Sequence, residues 1–342
     1  MRAAMLKDVS KKLLYTSGLL GLYHRLRNAD SLTVVMFHRT LSPDDPRWTT
    51  CDPDYTLATG WLEQSLAFFR RHYNVVSLEQ VLASRRTGAT LPKRALLITF
   101  DDGWADNADY ALPALERAGL PALMFVVADA VGTRQPFFQE RLIAAWRRGA
   151  VTVRELSDAL PAGEAASAGD ESMTSLRAVI ARLEALDAGV RTQVLAPFMA
   201  KLDDGHRHMV TVDELQRLQA GGVALGLHGK THTPMKLAPD LDAELSGARA
   251  SLAHQLGQAQ ASAESMSFPH GSFDAGIAQR AREAGYELVF TSVPVLNPTV
   301  SGVGWLLGRT GFETDTVVDA QGRFRDDLLA LYLFRRQARR LA

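Results

Sequence analysis

The chain has 342 residues, with 38 Lys and Arg against 38 Asp and Glu, so its formal net charge is zero. Hydrophobic residues make up 46% and charged residues 22%, a profile that suits a soluble globular protein with a large core. A dedicated nucleic-acid binder needs a basic footprint that this balance lacks. The single cysteine, Cys51, cannot form an internal disulfide, which fits a reducing compartment.

The length allows two domains or one large α/β barrel with insertions. Residues 1–28 read as an N-terminal amphipathic helix. Arg2, Lys7, Lys11 and Lys12 precede a short apolar stretch, Leu13 to Tyr23. A signal peptide has this order, but Thr16, Ser17 and Gly18 interrupt the stretch. His24-Arg25-Leu26-Arg27 follows it in place of a small-residue cleavage site. The stretch is also shorter than the ~20 apolar residues that span a bilayer. Two readings stand: a helix packed on the domain, or a basic interfacial helix in peripheral contact with a membrane. The expected location is the cytoplasm or the inner membrane surface, with no cleavable signal.

Ser31–His38 is a β-branched, apolar run and reads as a buried strand. Leu57–Tyr73 carries apolar residues at helical spacing. A short strand at Val75–Val76 and a helix around Leu78–Arg85 follow. Ala95–Phe100 is the clearest buried strand. Asp109–Ala118 reads as a helix stopped by Gly119, and Ala122–Val127 as the next strand. This alternation predicts a parallel sheet with crossover helices.

From about 137 to 205 the pattern is helical with no convincing strand, and reads as a helical insertion. The small polar stretch Pro161–Ser172 inside it is expected to be a surface loop. Thr211-Val212-Asp213-Glu214 is a capping box opening a helix, which Gly221 and Gly222 end. Strands are then expected at Val223–His228, Met266–Pro269 and Leu288–Ser292. Residues 29–315 are expected to form one domain that carries this sheet and the helical insertion, and residues 316–342 a C-terminal helix.

Thr99-Phe100-Asp101-Asp102-Gly103 follows the best strand, at the end where α/β barrels build their sites. Adjacent carboxylates raise each other's pKa unless a cation or hydrogen bonds intervene. A metal resolves this if one carboxylate binds it and the other stays free as a base; an acidic turn capping the next helix is the alternative. His228 and His232 also follow a strand, and their spacing lets two imidazoles reach one ion. Two loop histidines are the alternative there. Two histidines and one carboxylate leave open metal positions, as catalytic zinc sites do.

These motifs resemble the polysaccharide deacetylase family (NodB-homology domains, carbohydrate esterase family 4) over about residues 30–310. Thr99–Gly103 matches the family's T-F-D-D-G at every position, and Leu91–Asn107 follows the family's wider pattern. His228 and His232 match the second motif, with Gly229 where Ser or Thr usually stands. Phe268-Pro269-His270-Gly271 resembles the F-x-Y-P-Y-G motif, with His270 replacing the Tyr after proline. The family's motif arginine is not evident; Arg309 is the candidate replacement. No late Leu-x-His follows residue 290, but Met36-Phe37-His38-Arg39 is similar to the M-Y-H-R opening of deacetylases from exopolysaccharide pathways.

The resemblance implies a distorted (β/α)7-type barrel with a helical insertion. It implies hydrolysis of an N-acetyl group on an amino sugar of a polysaccharide or its lipid-linked precursor. Asp101 would be the base, and Asp102, His228 and His232 the metal ligands. His38 would be the acid, and the His270 backbone N–H an oxyanion donor. Phe268, Pro269, Trp104 and Arg309 would complete the substrate side, with Trp104, Phe268 and Trp305 as candidates to stack on sugar faces and core packing as the alternative for each. Zinc is the expected metal, with cobalt, nickel or iron able to use the same donors. Hydrolysis of a non-sugar amide or ester, and a silent glycan-binding module, are the competing functions.

Overall fold

Strand and helix alternate along most of the chain because buried apolar runs alternate with half-apolar ones. The computed structural model describes residues 2–161, 170–257, 263–312 and 314–342, and of 2–7 and 314–315 only the backbone. The chain forms two compact units. One is Met1–Ser42, Asp54–Gly132 and Val210–Ala342; the other is Pro43–Pro53 and Thr133–Met209.

The first unit holds the strands. In chain order they are β1 (Ser31–Phe37), β2 (Arg39–Leu41), β3 (Thr56–Ala58), β4 (Asn74–Val75), β5 (Ala95–Phe100) and β6 (Ala122–Val126). Then come β7 (Val223–Leu227), β8 (Ser265–Ser267), β9 (Leu288–Thr291), β10 (Asn297–Pro298), β11 (Leu306–Gly308) and β12 (Thr310–Gly311). The main sheet runs β10-β1-β5-β6-β7-β8-β9-β11, with β12 also paired to β1 and β4 to β5. Apart from the antiparallel β1–β10 pair, its pairings are parallel. Leu306–Gly308 pairs with β9, and Thr310–Gly311, two residues on, pairs with β1. The ring of parallel strands therefore returns to its start around Arg309. This is the distorted (β/α)7-type barrel that the family resemblance implies.

All residues of β5 and β6 are buried, which explains their unbroken apolar runs. Alternate residues face opposite cores. Ala95 and Leu97 join Leu32, Val34, Leu123, Phe125, Phe290 and Leu307 in one cluster. Leu96, Ile98 and Phe100 join the larger cluster formed with the surrounding helices. The period of two then places Thr99 and Asp101 on the first face, and Arg309 in phase with Leu307.

Several boundaries differ from the sequence pattern. The N-terminal segment is two helices, α1 (Arg2–Thr16) and α2 (Leu19–Arg27), because Gly18 between them takes a left-handed conformation with φ 79°. The helix expected at Asp109–Ala118 begins as a wide turn at Asn107–Ala111 and becomes α-helical at Leu112. Pro113 has no N–H to donate back, so the regular ladder is interrupted there. At the C-terminus, the helix Asp326–Phe334 ends early: Leu296 N–H bonds Gln337 O and Arg339 N–H bonds Leu296 O, holding that stretch extended.

The second unit is helical. Phe138–Arg147, Val153–Asp158, Met173–Ala185 and Ala188–Leu195 pack around Leu142, Ile143, Val153, Leu176, Val179 and Leu183. Pro43–Pro53 joins them through the Asp52–Arg177 ion pair at 2.8 Å. Of the polar stretch Pro161–Ser172, residues 162–169 lie outside the described residues.

Candidate active site

Asp101 leaves the end of β5, where its N–H bonds Phe37 O of β1 at 2.9 Å. Its carboxylate is 2% exposed. Arg309 forks onto it, Nη1 donating to Oδ1 at 2.6 Å and Nη2 to Oδ2 at 2.8 Å. The same guanidinium donates from Nε to Thr291 O at 3.2 Å and lies over the Phe125 ring. Burial alone would raise the pKa of Asp101. The Arg309 charge, with His228 and His38 nearby, overrides burial and holds the carboxyl below its usual value.

Asp102 turns the other way because its backbone is left-handed, with φ 77°. Gly103 continues the turn at φ 79° against Val126, where a Cβ would sit 3.3 Å from Val126 Cγ1. Trp104 Nε1 donates to Asp102 Oδ2 at 2.9 Å. Asp102 Oδ1 is buried without a hydrogen bond of good geometry, and faces His228 Nε2 at 3.4 Å and His232 Nε2 at 3.2 Å. Burial opposes its charge, yet His232, His38 and His228 hold the Asp102 carboxyl far below the usual carboxylate range.

His228 follows β7, and its N–H bonds Val126 O. Its Nδ1 lies 3.1 Å from Ser267 O and 2.6 Å from Ser267 Oγ. The carbonyl can only accept, so Nδ1 carries the proton and Nε2 presents a lone pair toward the carboxylates. Burial pushes the His228 pKa down to about 4, which keeps the ring neutral at physiological pH. One donor atom from each of Asp102, His228 and His232 lies within 4.8 Å of the others. A buried oxygen without a good partner, facing two imidazole nitrogens, is a donor set that suits a divalent cation.

The loop between the two histidines is held by a residue the motifs did not reveal. Glu244 accepts from the N–H groups of Lys230 and Thr231 at 2.8 and 3.1 Å, and from Thr231 Oγ1 at 2.5 Å. Gly229 has φ 73°, and a Cβ there would come within 3.0 Å of Glu244 Oε2 and 3.1 Å of Pro269 Cγ. The Gly at this motif position therefore matches a backbone that a Ser or Thr would strain, and Glu244 supplies the loop's hydrogen bonding. The sequence gives no local signal of this, since Glu244 lies on another element.

His38 is half-buried at the end of β1, where Asn107 Nδ2 donates to its carbonyl at 2.9 Å. Its ring lies near both Asp101 and Asp102. Tyr55, which no motif singled out, is 41% exposed and meets the His38 ring edge-on at 4.9 Å. The next residue, Arg39, is buried. It pairs with Asp106 at 2.7 Å and covers the Trp104 ring at 4.3 Å.

Trp104 and Phe268 are corrections to the sugar-stacking expectation. Each is 1% exposed and offers no open face. Trp104 instead steadies Asp102, and Phe268 stacks on Phe273 at 5.1 Å. Pro269 is buried against Gly229. Trp305 is partly buried beneath Arg282. His270 is exposed on a turn with φ 56°; its ring is 4.5 Å from that of His232, and its Nε2 lies 3.3 Å from His232 O.

The sequence model described as Polysaccharide deacetylase matches residues 88–289. A poly-beta-1,6-N-acetyl-D-glucosamine N-deacetylase of Staphylococcus epidermidis is 27% identical over 132 residues, 38% of this chain and 43% of that protein. The Staphylococcus aureus (strain MSSA476) protein of the same name is 28% identical over 127 residues, 36% of this chain and 41% of its own. These matches span less than half the length of either relative. Among solved structures, the Streptococcus pyogenes deacetylase PplD in complex with acetate aligns with a TM-score of 0.55 at 14% identity, over 89% of this chain and 99% of that one. IcaB from Ammonifex degensii aligns with a TM-score of 0.54 at 19% identity, over 90% and 98%. At these identities the two structures speak for the fold.

Proposed function

Because this chain belongs to the polysaccharide deacetylase family, we propose that it hydrolyses the N-acetyl group of an amino sugar, in a polysaccharide or its lipid-linked precursor. The products are acetate and a free amine. The observation that carries this reading is the Asp102-His228-His232 cluster beside a carboxylate clamped by Arg309. The names of the staphylococcal relatives favour a β-1,6-linked N-acetylglucosamine polymer as the substrate.

Asp102, His228 and His232 would hold a divalent cation, zinc first among the candidates. Such an ion supplies a more acidic water and polarises the acetyl carbonyl. Asp101 takes the proton of the attacking water at Oδ2, the oxygen facing His228. Arg309 keeps Asp101 ionised and oriented for that task. The N–H of His270 donates to the oxygen that gains charge. His38 protonates the leaving nitrogen as the C–N bond breaks. Tyr55, exposed beside His38, contributes a ring face to the sugar.

The test uses the full chain, loaded with zinc, and a β-1,6-linked N-acetylglucosamine oligomer. Asp101→Asn should abolish acetate release while zinc stays bound. His38→Ala should slow release with the metal content unchanged. A normal rate in Asp101→Asn would overturn the assignment of the base.

A further inference from the structure

Helix α2 is apolar on two sides. Leu20 and His24 face inward, where His24 stacks on Phe334 at 3.9 Å. Leu19, Leu22, Tyr23 and Leu26 recur at i, i+3, i+4 and i+7 and face outward, with Leu26 74% exposed and Leu19 59%. With about 3.6 residues per turn, Arg25 and Arg27 fall on the two flanks of that outward stripe. On α1, Val9 and Leu13 are exposed at i and i+4, with Lys12 on one flank, 3.7 Å from Asp8, and Lys11 on the far side of the helix.

Charge is segregated in the same segment. Residues 1–29 contain six Lys and Arg and one acidic residue, Asp8, in a chain that is neutral overall. Asp8 is engaged by Arg325 at 2.8 Å. No acidic residue occurs between Asp8 and Asp30. Both helices pack against Asp326–Phe334, so the outward leucines are not needed to hold them in place. Isolated exposed leucines are ordinary on a protein surface, but an ordered stripe flanked by cations is the pattern of an interfacial helix. Among the described residues, no helix is long and apolar enough to cross a membrane. His24 lies beside Tyr73, which leads into β4, so α2 sits at the starting ends of the strands. Asp101 and Asp102 lie at their far ends.

We propose that α1 and α2 dock this protein on an anionic lipid surface, with Leu13, Leu19, Leu22 and Leu26 entering the headgroup layer and Lys12 and Arg25 meeting the lipid phosphates; Arg27, which donates to Phe334 O and Arg336 O, anchors α2 to the fold. The chemistry is that of an amphipathic helix lying in the interface, where apolar burial and attraction to anionic lipids act together.

The test is flotation of the full chain with vesicles of phosphatidylcholine alone or mixed with phosphatidylglycerol. The chain should float with the mixed vesicles and be released by salt. Leu19→Ser/Leu22→Ser/Leu26→Ser should cut binding at least tenfold. Lys12→Gln/Arg25→Gln, which touches neither the core nor the active site, should weaken it about fivefold per cation removed. Acetate release from a short soluble glycan should stay unchanged in both variants, which separates this proposal from the deacetylase reading. Equal binding by wild type and both variants, or no flotation of the wild type, would overturn it. So would a wild-type dimer that the leucine variant converts to monomer without any vesicle binding, since the stripe would then be covered by a second copy of this chain.

Discussion

Arg309→Met removes the guanidinium and keeps most of the side-chain volume. Asp101, 2% exposed, then loses donors at 2.6 and 2.8 Å on its two oxygens. Thr291 O loses its donor as well. Removing one partner of a buried ion pair costs about 3–5 kcal/mol, because the remaining charge has no compensation. For the unit that holds both residues, about 250 residues long, the unfolding entropy is about 0.5 kcal/mol/K, so its melting temperature should fall by roughly 6–9 °C. Asp101→Asn removes the charge, so Arg309→Met should cost less in that background; the difference measures the coupling. Thermal melts of the four proteins in chelator isolate this effect from any metal. Acetate release by the zinc-loaded Arg309→Met protein should drop together with its stability. A melting temperature within about 1 °C of wild type, or strict additivity in the cycle, would refute the reasoning.

Three further outcomes follow from contacts at the site and beneath the N-terminal helices. Glu244→Gln should loosen the Gly229–Thr231 loop and weaken zinc binding about 10–100-fold, read by calorimetric titration of the metal-free protein; unchanged affinity would remove Glu244 from the site's support. Trp104→Phe removes the N–H that meets Asp102 Oδ2; losing a bond to a charged acceptor should cost about 1.5–3 kcal/mol, seen in thermal melts and in zinc affinity. Burial pushes the pKa of His24 down to about 3 from its ordinary 6.5. The unfolded chain therefore takes up a proton that the folded one refuses. The stability this contributes is complete above about pH 6.5 and falls by about 3 kcal/mol by about pH 4. His24→Phe should flatten the acid decline of the melting temperature, and parallel declines would discount the effect.

The residues legible in sequence were those whose signal is local. Ala95–Phe100 is recognisable because both faces are buried, and Thr211–Glu214 forms the capping box its spacing implied. The two histidines after β7 sit together because a single tight loop carries both. What sequence spacing could not show is pairing at a distance. β11 and β12 have three and two residues, too few to display a period, yet they close the barrel. Arg309 could be named only as a candidate, because its partner lies 208 residues away. Glu244 and the Arg39–Asp106 pair are buried polar groups, satisfied by tertiary contacts that no window of sequence contains. Trp104 is ambiguous in sequence for the same reason: an aromatic beside an Asp-Asp motif can face a ligand or brace a carboxylate, and the Arg39 over its ring decides which.

The late position of Arg309 also affects how the chain is made. At about 5–20 residues per second, the ribosome needs roughly 10–40 s after Asp101 before Arg309 is synthesised. Through that interval one edge of β1 waits for Asn297–Pro298 and Thr310–Gly311, the strands that cover it in the finished fold. An uncovered apolar strand is a ready template for pairing with other chains. A message truncated shortly before residue 309 would thus yield an open-edged product with a buried, uncompensated carboxylate. Its expected fate is aggregation or degradation rather than slow catalysis.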